Sequence, residues 1–127
     1  MAKPGSEAFP RQIRIVRSAD YRRLYKEARK VHSGKFVLFG RANGVGHPRL
    51  GITVSRRIGG AVVRNRIKRL FREIFRRSLG EIPNQLDIIV NAKFGCVGAE
   101  YGQLRAEFIA AARKLALAKQ DGTDGPN

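Results

Sequence analysis

Between Arg56 and Arg77 the chain carries nine basic residues and one acid, Glu73, on a stretch whose apolar residues recur at helical spacing. No other segment restricts the fold as much. At about 100° per residue, Val63, Ile67, Leu70, Phe71, Ile74 and Phe75 fall on one side, Asn65, Lys68, Arg69, Arg72 and Arg76 fall opposite, and Arg64 and Arg66 mark the flanks. Such a helix must dock on an apolar layer with one face and keep the other clear of it. It should start after Gly59-Gly60 and end near Leu79-Gly80, with Gly80 supplying a left-handed terminus and Pro83 preventing continuation.

A charged helical face is ordinarily just solvated. Here only Glu73 can offset the cations, and neighbouring like charges at helical spacing repel by a few tenths of a kcal/mol per pair. Phosphate removes that penalty, and the planar arginine fork suits it. The whole chain leans the same way: 26 Lys and Arg stand against 10 Asp and Glu in 127 residues, a net charge of +16. With 43% hydrophobic residues it can still build a core, so the charge belongs to a folded surface. A helix-turn-helix would need a helix just upstream, where Arg49 to Ser55 reads as a strand. Gly59-Gly60 lacks the remainder of a phosphate-loop pattern and reads as a flexible helix entry.

Around this helix the order is α, β, β, α, β, α, with one further short strand near Val31, which suggests a sheet layered with helices. Ser18 can cap a first helix, with Asp20 in its first turn and Tyr21, Leu24, Tyr25 and Ala28 along one face. Lys35 to Arg41 and Arg49 to Ser55 alternate as strands. The turn-forming Asn43-Gly44-Val45-Gly46-His47-Pro48 between them predicts an antiparallel hairpin. Leu86 to Asn91 reads as a buried strand. Tyr101, Leu104, Phe108, Ala111, Ala112 and Leu115 stripe a last helix ending near Lys119. One domain over residues 13–119 is expected, between a flexible arm (1–12) and a flexible tail (120–127).

No apolar run approaches the roughly 20 residues of a spanning helix, and no secretory signal is visible. A lone cysteine, Cys96, fits a small buried side chain in a reducing, cytoplasmic compartment. His32 and His47 lack acidic or nucleophilic neighbours in sequence and read as surface residues. The carboxylates show no paired or metal-ligand spacing, so no catalytic residue and no metal site is expected.

Aromatic residues suggest a second site. Periodicity alone places Tyr21, Tyr25 and Phe39 in a core. Against that, the Phe39 face continues into Gly51, Thr53 and Ser55, which would make a poor core and suits the floor of a groove. Beside Arg22, Arg23 and Lys26, such rings offer single-stranded bases a stacking surface.

The run Arg56 to Glu73, above all Ala61-Val62-Val63-Arg64-Asn65-Arg66-Ile67-Lys68-Arg69, resembles the signature of the bacterial ribonuclease P protein component. Asp20-Tyr21 through Tyr25-Lys26, Phe36-Val37-Leu38-Phe39 and Leu50-Gly51-Ile52-Thr53-Val54-Ser55 resemble that family's first helix and two of its strands. Two places fit less well: Asn91 to Gly98 departs from the pattern, and the acidic tail Asp121 to Asn127 carries nothing of the family's function. The resemblance implies an α+β fold: an αβββαβα two-layer sandwich with a central mixed sheet and an uncommon left-handed βαβ crossover, like domain 2 of ribosomal protein S5. It implies a cytoplasmic protein that binds a catalytic RNA and the 5′ leader of precursor tRNA, while the RNA hydrolyses the leader off with Mg²⁺ and the protein carries no cofactor. By that resemblance Arg56, Arg57, Arg64, Asn65, Arg66, Lys68, Arg69, Arg72 and Arg76 would hold the RNA subunit, and Tyr21, Arg22, Tyr25, Lys26 and Phe39 the leader. No DNA or membrane partner is implied. A structural RNA binder of ribosomal type would share the charge but need no leader groove.

Overall fold

A computed structural model describes residues 13–15 and 18–121, with only the backbone given for Ser18 and residues 117–121. The arm expected over residues 1–12, the tail from residue 122 and the capping side chain of Ser18 lie outside the described parts. Element order is α1 (Ser18–Glu27), β1 (Arg29–His32), β2 (Phe36–Ala42), β3 (Arg49–Thr53), α2 (Ala61–Arg77), β4 (Leu86–Ala92) and α3 (Tyr101–Asp121). The strands form one mixed sheet in the order β1-β2-β4-β3, antiparallel except for the parallel β3–β4 pair. This is an αβββαβα fold of the α+β class, with the extra strand where Val31 suggests it. Among the described residues no helix is long and apolar enough to cross a membrane.

The hairpin expected between β2 and β3 does not form, because β4 lies between them. The reason is burial. Leu86, Ile88, Ile89 and Val90 are all buried, so both faces of β4 are covered, and a strand apolar on both faces belongs in the middle of a sheet. The Asn43–Pro48 connection therefore bridges the start of β4. Its Asn43 amide N–H donates to Gln85 O (2.8 Å), while Asn43 Nδ2 donates to Asp87 Oδ1 (2.7 Å) and His47 O (3.1 Å). Gly44 and Gly46 supply the turn, with φ of +69° and +94°. Arg49 completes the junction, its Nε and a terminal nitrogen donating to the two oxygens of the buried Asp87 carboxylate at 2.8 and 2.7 Å.

One face of the sheet carries the main core. Ile67, Phe71, Ile74 and Phe75 of α2 and Leu104, Phe108, Ala112 and Leu115 of α3 pack on Phe36, Leu38, Leu50, Ile88 and Val90. Phe36 meets Phe71 edge-on, with ring centroids 5.6 Å apart. The buried side of the predicted wheel is confirmed, with Val63 and Leu70 only half-covered. The end of α2 differs from expectation: no left-handed residue closes it, and Gly80 sits in a 3-10 turn, Leu79–Glu81. A side-chain tether takes that place, since Arg105 of α3 donates to the buried Ser78 Oγ (3.1 Å) and pairs with Glu81.

On the opposite face α1 builds a second, smaller core from Leu24, Ile15 and Ile89, with Tyr21, Ala28 and Phe39 packed around it. The third helix runs past Lys119, where its stripe predicts an end. Cys96 is buried and its thiol donates to Lys35 O (3.1 Å); burial pushes its pKa up to about 11, so it is an inert packing residue. His32 is exposed and His47 half-buried.

Candidate nucleic-acid interface

Strand β3 ends at Thr53 rather than Ser55 because the chain turns there. Ser55 O accepts the Ile58 N–H (3.0 Å) and Ser55 Oγ the Arg57 N–H (3.1 Å), leaving Arg56 and Arg57 exposed on the turn. Helix α2 then opens at Gly60 with extended backbone and no side-chain cap. Its first arginine reaches backward: Arg64 Nε donates to Gly59 O (3.1 Å), clamping the turn to the helix. Gly59 permits the close entry, since a Cβ there would lie 3.0 Å from Val63.

Along the outer face, the cations separate into two groups. Glu73 pairs with Arg76 at 2.7 Å and with Arg77 at 2.6 Å. Partial burial alone would raise the Glu73 pKa, but the Arg76 hydrogen bond and the two guanidinium charges outweigh it and hold the carboxyl below its ordinary value. Arg66, Lys68, Arg69 and Arg72 have no carboxylate partner among the described residues. Asn65, Arg66, Arg69 and Arg72 are exposed. Of the face read from sequence, the stretch from Asn65 to Arg72 is thus the open cationic surface, while Arg76 is partly neutralised.

The aromatic residues do come together. Tyr25 meets Phe39 edge-on at 4.9 Å and lies 6.5 Å from Tyr21, a pairing worth about 0.5–1.5 kcal/mol beyond the area it buries. Neither a core nor an open shelf describes them fully. Tyr21 and Phe39 are half-buried at the rim of the small core, and Tyr25 is exposed at 37%. Lys30 Nζ stands 5.9 Å above the Phe39 ring. Arg22 and Lys26 turn away from the sheet and line, with Arg23 and Tyr25, an open depression of about 710 Å³ on the outer side of α1. Tyr25 borders both the depression and the sheet, as does Glu27, which pairs with Arg41 of β2 at 3.1 Å.

The two cationic and aromatic surfaces meet at the outer edge of β3. A cavity of about 230 Å³ is lined there by Arg14, Tyr21, Gly51, Lys68 and Arg72. Gly51 is required by contact, since a Cβ would lie 2.6 Å from the Tyr21 hydroxyl. Burial raises the Tyr21 pKa, while a hydrogen bond with the Ile52 backbone and the Arg72 charge oppose the rise. Among the described residues no three His, Cys, Asp or Glu side chains gather as a metal site. The sequence places Lys30 on the basic face of the first helix, whereas it stands on β1, and it singles out neither Arg14 nor the side chain of Asn91, whose Oδ1 accepts the Tyr25 hydroxyl (2.8 Å). Each depends on which strands pair, which alternation within a strand does not reveal.

The family described as Ribonuclease P matches residues 9–116. The chain is 39% identical over 112 residues to the ribonuclease P protein component of Desulfovibrio desulfuricans, covering 85% of this chain and 86% of that protein. With the same component of Thermotoga maritima it shares 42% identity over 85 residues, 67% of this chain and 73% of that one. Among solved structures, the Thermotoga maritima RNase P protein superposes with a TM-score of 0.75 at 32% identity, over 80% of this chain and 96% of that one. A Staphylococcus aureus RNase P protein, a mutant with defective mRNA degradation activity, does so at 0.74 and 36%, over 85% and 89%.

Proposed function

The chain belongs to the bacterial ribonuclease P protein family, a subunit of a ribonuclease that processes tRNA, and from that premise we propose how its two surfaces serve that activity. The face of α2 from Arg64 to Arg76, with Arg56 and Arg57 on the turn before it, holds the catalytic RNA. The groove between α1 and the sheet, with Tyr21, Tyr25 and Phe39, and with Arg22 and Lys26 beside it, holds the single-stranded 5′ leader of precursor tRNA. Hydrolysis belongs to the RNA subunit, which would use Mg²⁺ as its cofactor; the protein supplies charge and position in the cytoplasm.

One observation carries this reading: Arg66, Lys68, Arg69 and Arg72 stand without carboxylate partners among the described residues, while the neighbouring acid, Glu73, is engaged by Arg76 and Arg77. Arginines left unpaired this close together repel one another in water and are relieved by phosphate. Lys68 and Arg72 continue that surface past Tyr21 toward the aromatic groove, so that one RNA-facing path joins both sites.

Reconstitution tests it. Added to a bacterial ribonuclease P RNA at a Mg²⁺ concentration where the RNA alone is inactive, the protein restores leader removal, and the complex binds precursor tRNA more tightly than mature tRNA. Unchanged cleavage, or equal affinities for the two tRNAs, refutes the assignment.

A further inference from the structure

Asn43-Gly44 is the only Asn-Gly pair in the chain, and it stands at the junction where β4 enters between β2 and β3. In such a pair the asparagine amide is open to attack by the next backbone nitrogen, because glycine has no side chain to shield it. Nothing else crowds Gly44, where a Cβ would meet no atom within 4 Å. The Gly44 nitrogen gives up its proton and bonds to Asn43 Cγ, the Cγ–Nδ2 bond breaks, and Nδ2 leaves as ammonia with that proton. Solvent water then opens the resulting cyclic imide to a carboxylate, as aspartate or as isoaspartate. In sum a water is consumed and an ammonia released.

Folding opposes this step at each polar atom of the side chain. Nδ2 donates to Asp87 Oδ1 (2.7 Å) and to His47 O (3.1 Å), while Oδ1 accepts the Val45 N–H (2.8 Å). Held at both ends, the amide plane is kept from turning toward the attacking nitrogen. The nitrogen that must depart is also the one gripped by two acceptors. Its loss would deprive Asp87, only 6% exposed, of a donor, and a buried acceptor left short is costly. The product is worse still. It sets a carboxylate against the Asp87 carboxylate where an N–H stood, with the Arg49 guanidinium already committed to Asp87.

We propose that Asn43 is a modification site governed by the fold: its amide persists while the junction is closed and is converted to aspartate or isoaspartate when the junction opens. Afterwards β4 no longer re-enters the sheet with its native stability. A transient local opening thereby leaves a permanent covalent mark.

The test follows the full-length protein at mildly alkaline pH, folded and in concentrated urea, by mass spectrometry of the peptide that carries Asn43. Conversion shifts its mass and splits it into two isomers. The unfolded chain converts about ten- to a hundredfold faster than the folded one, as a seldom-populated local opening requires. Asp87→Ala removes an acceptor and brings the folded rate up toward the unfolded one. Asp87→Asn, which keeps an oxygen there, and Phe108→Leu, which loosens the core away from the junction, accelerate it far less. Asn43→Asp lowers the urea midpoint, and the exchanged pair, Asn43→Asp with Asp87→Asn, recovers most of the loss. Equal rates in folded and unfolded chains, or equal acceleration by Asp87→Ala and Phe108→Leu, overturn the proposal, as does an Asn43→Asp variant as stable as the wild type.

Discussion

Replacing Arg66, Arg69 and Arg72 together by Ala separates a phosphate-binding face from a merely solvated one. Two properties recommend this trio. Each is exposed on α2 and none has a carboxylate partner among the described residues, so removing them leaves no buried charge behind. Arg64 is left in place because its Nε holds Gly59 O, and Arg76 because it shares Glu73 with Arg77. Each phosphate that is no longer neutralised lowers the dependence of log K on log salt by about 0.7–0.9, so three of them lower the slope by about 2.1–2.7. Between 0.1 and 0.4 M salt, the wild-type protein should therefore lose about 20- to 40-fold more affinity for the RNA subunit than the variant does. Titration of labelled RNA at four or five salt concentrations reads the slope directly. Melting temperature should stay within a degree or two of wild type, since like-charge repulsion is being removed rather than packing. A slope equal to wild type, with affinity reduced or not, would mean that these guanidiniums do not meet phosphate and that the reasoning from unpaired charge is wrong.

Gly51→Ala places a methyl 2.6 Å from the Tyr21 hydroxyl and should cost about 1–3 kcal/mol in urea unfolding; combined with Tyr21→Ala the penalty should largely vanish, and additive effects would show that the contact is not responsible. Asp87→Ala strands the Arg49 guanidinium and the Asn43 amide and should cost about 3 kcal/mol, partly recovered in the Asp87→Ala, Arg49→Ala double variant. The Lys35 hydrogen bond, aided by Ser33, holds the Glu107 carboxyl below its ordinary value of 4.5. Its folded pKa being depressed, its contribution is present above that value and lost as pH falls through the folded pKa. Glu107→Gln should flatten the acid limb of the stability curve below about pH 4.5 and leave neutral stability nearly unchanged; an acid limb identical to wild type would show that the pair adds nothing.

Helices were the most legible elements. In α2 the apolar positions alone predict which side chains are buried, because a helix face is set by residues near one another in sequence. Strand positions were nearly as clear, but strand neighbours were not. Asn43-Gly44 and Gly46 meet every local requirement of a hairpin, and the chain still crosses over β4, since the burial of Ile88, Ile89 and Val90 on two faces outweighs a favourable turn. Arg64 shows another limit. Its place on the wheel marks it as a flank residue, but only coordinates reveal that its Nε closes on Gly59 O.

That same strand insertion determines what the candidate site can be. Were β2 and β3 paired, Phe39 would lie beside Gly51 and Thr53, and Asn91 would stand at the sheet's margin. With β4 between them, Ile89 separates Phe39 from Gly51 and supplies the apolar seat for α1, while Asn91 comes to stand between Thr53 and Val37 under the Tyr25 hydroxyl. β3 is thereby left as an outer strand, and around its edge Lys68 and Arg72 of α2 line one cavity with Tyr21 of α1. A single topological choice thus brings the cationic helix and the aromatic groove to a shared border. A nucleic acid held on α2 and a single strand leaving it along the groove would follow one continuous surface. Binding at the two sites should therefore be coupled through Tyr21 and Arg72, and Arg72→Ala should weaken both assembly and leader affinity, whereas Arg69→Ala should weaken assembly alone. Equal effects of the two substitutions on leader affinity, measured with preassembled holoenzyme, would show that the border carries no such coupling.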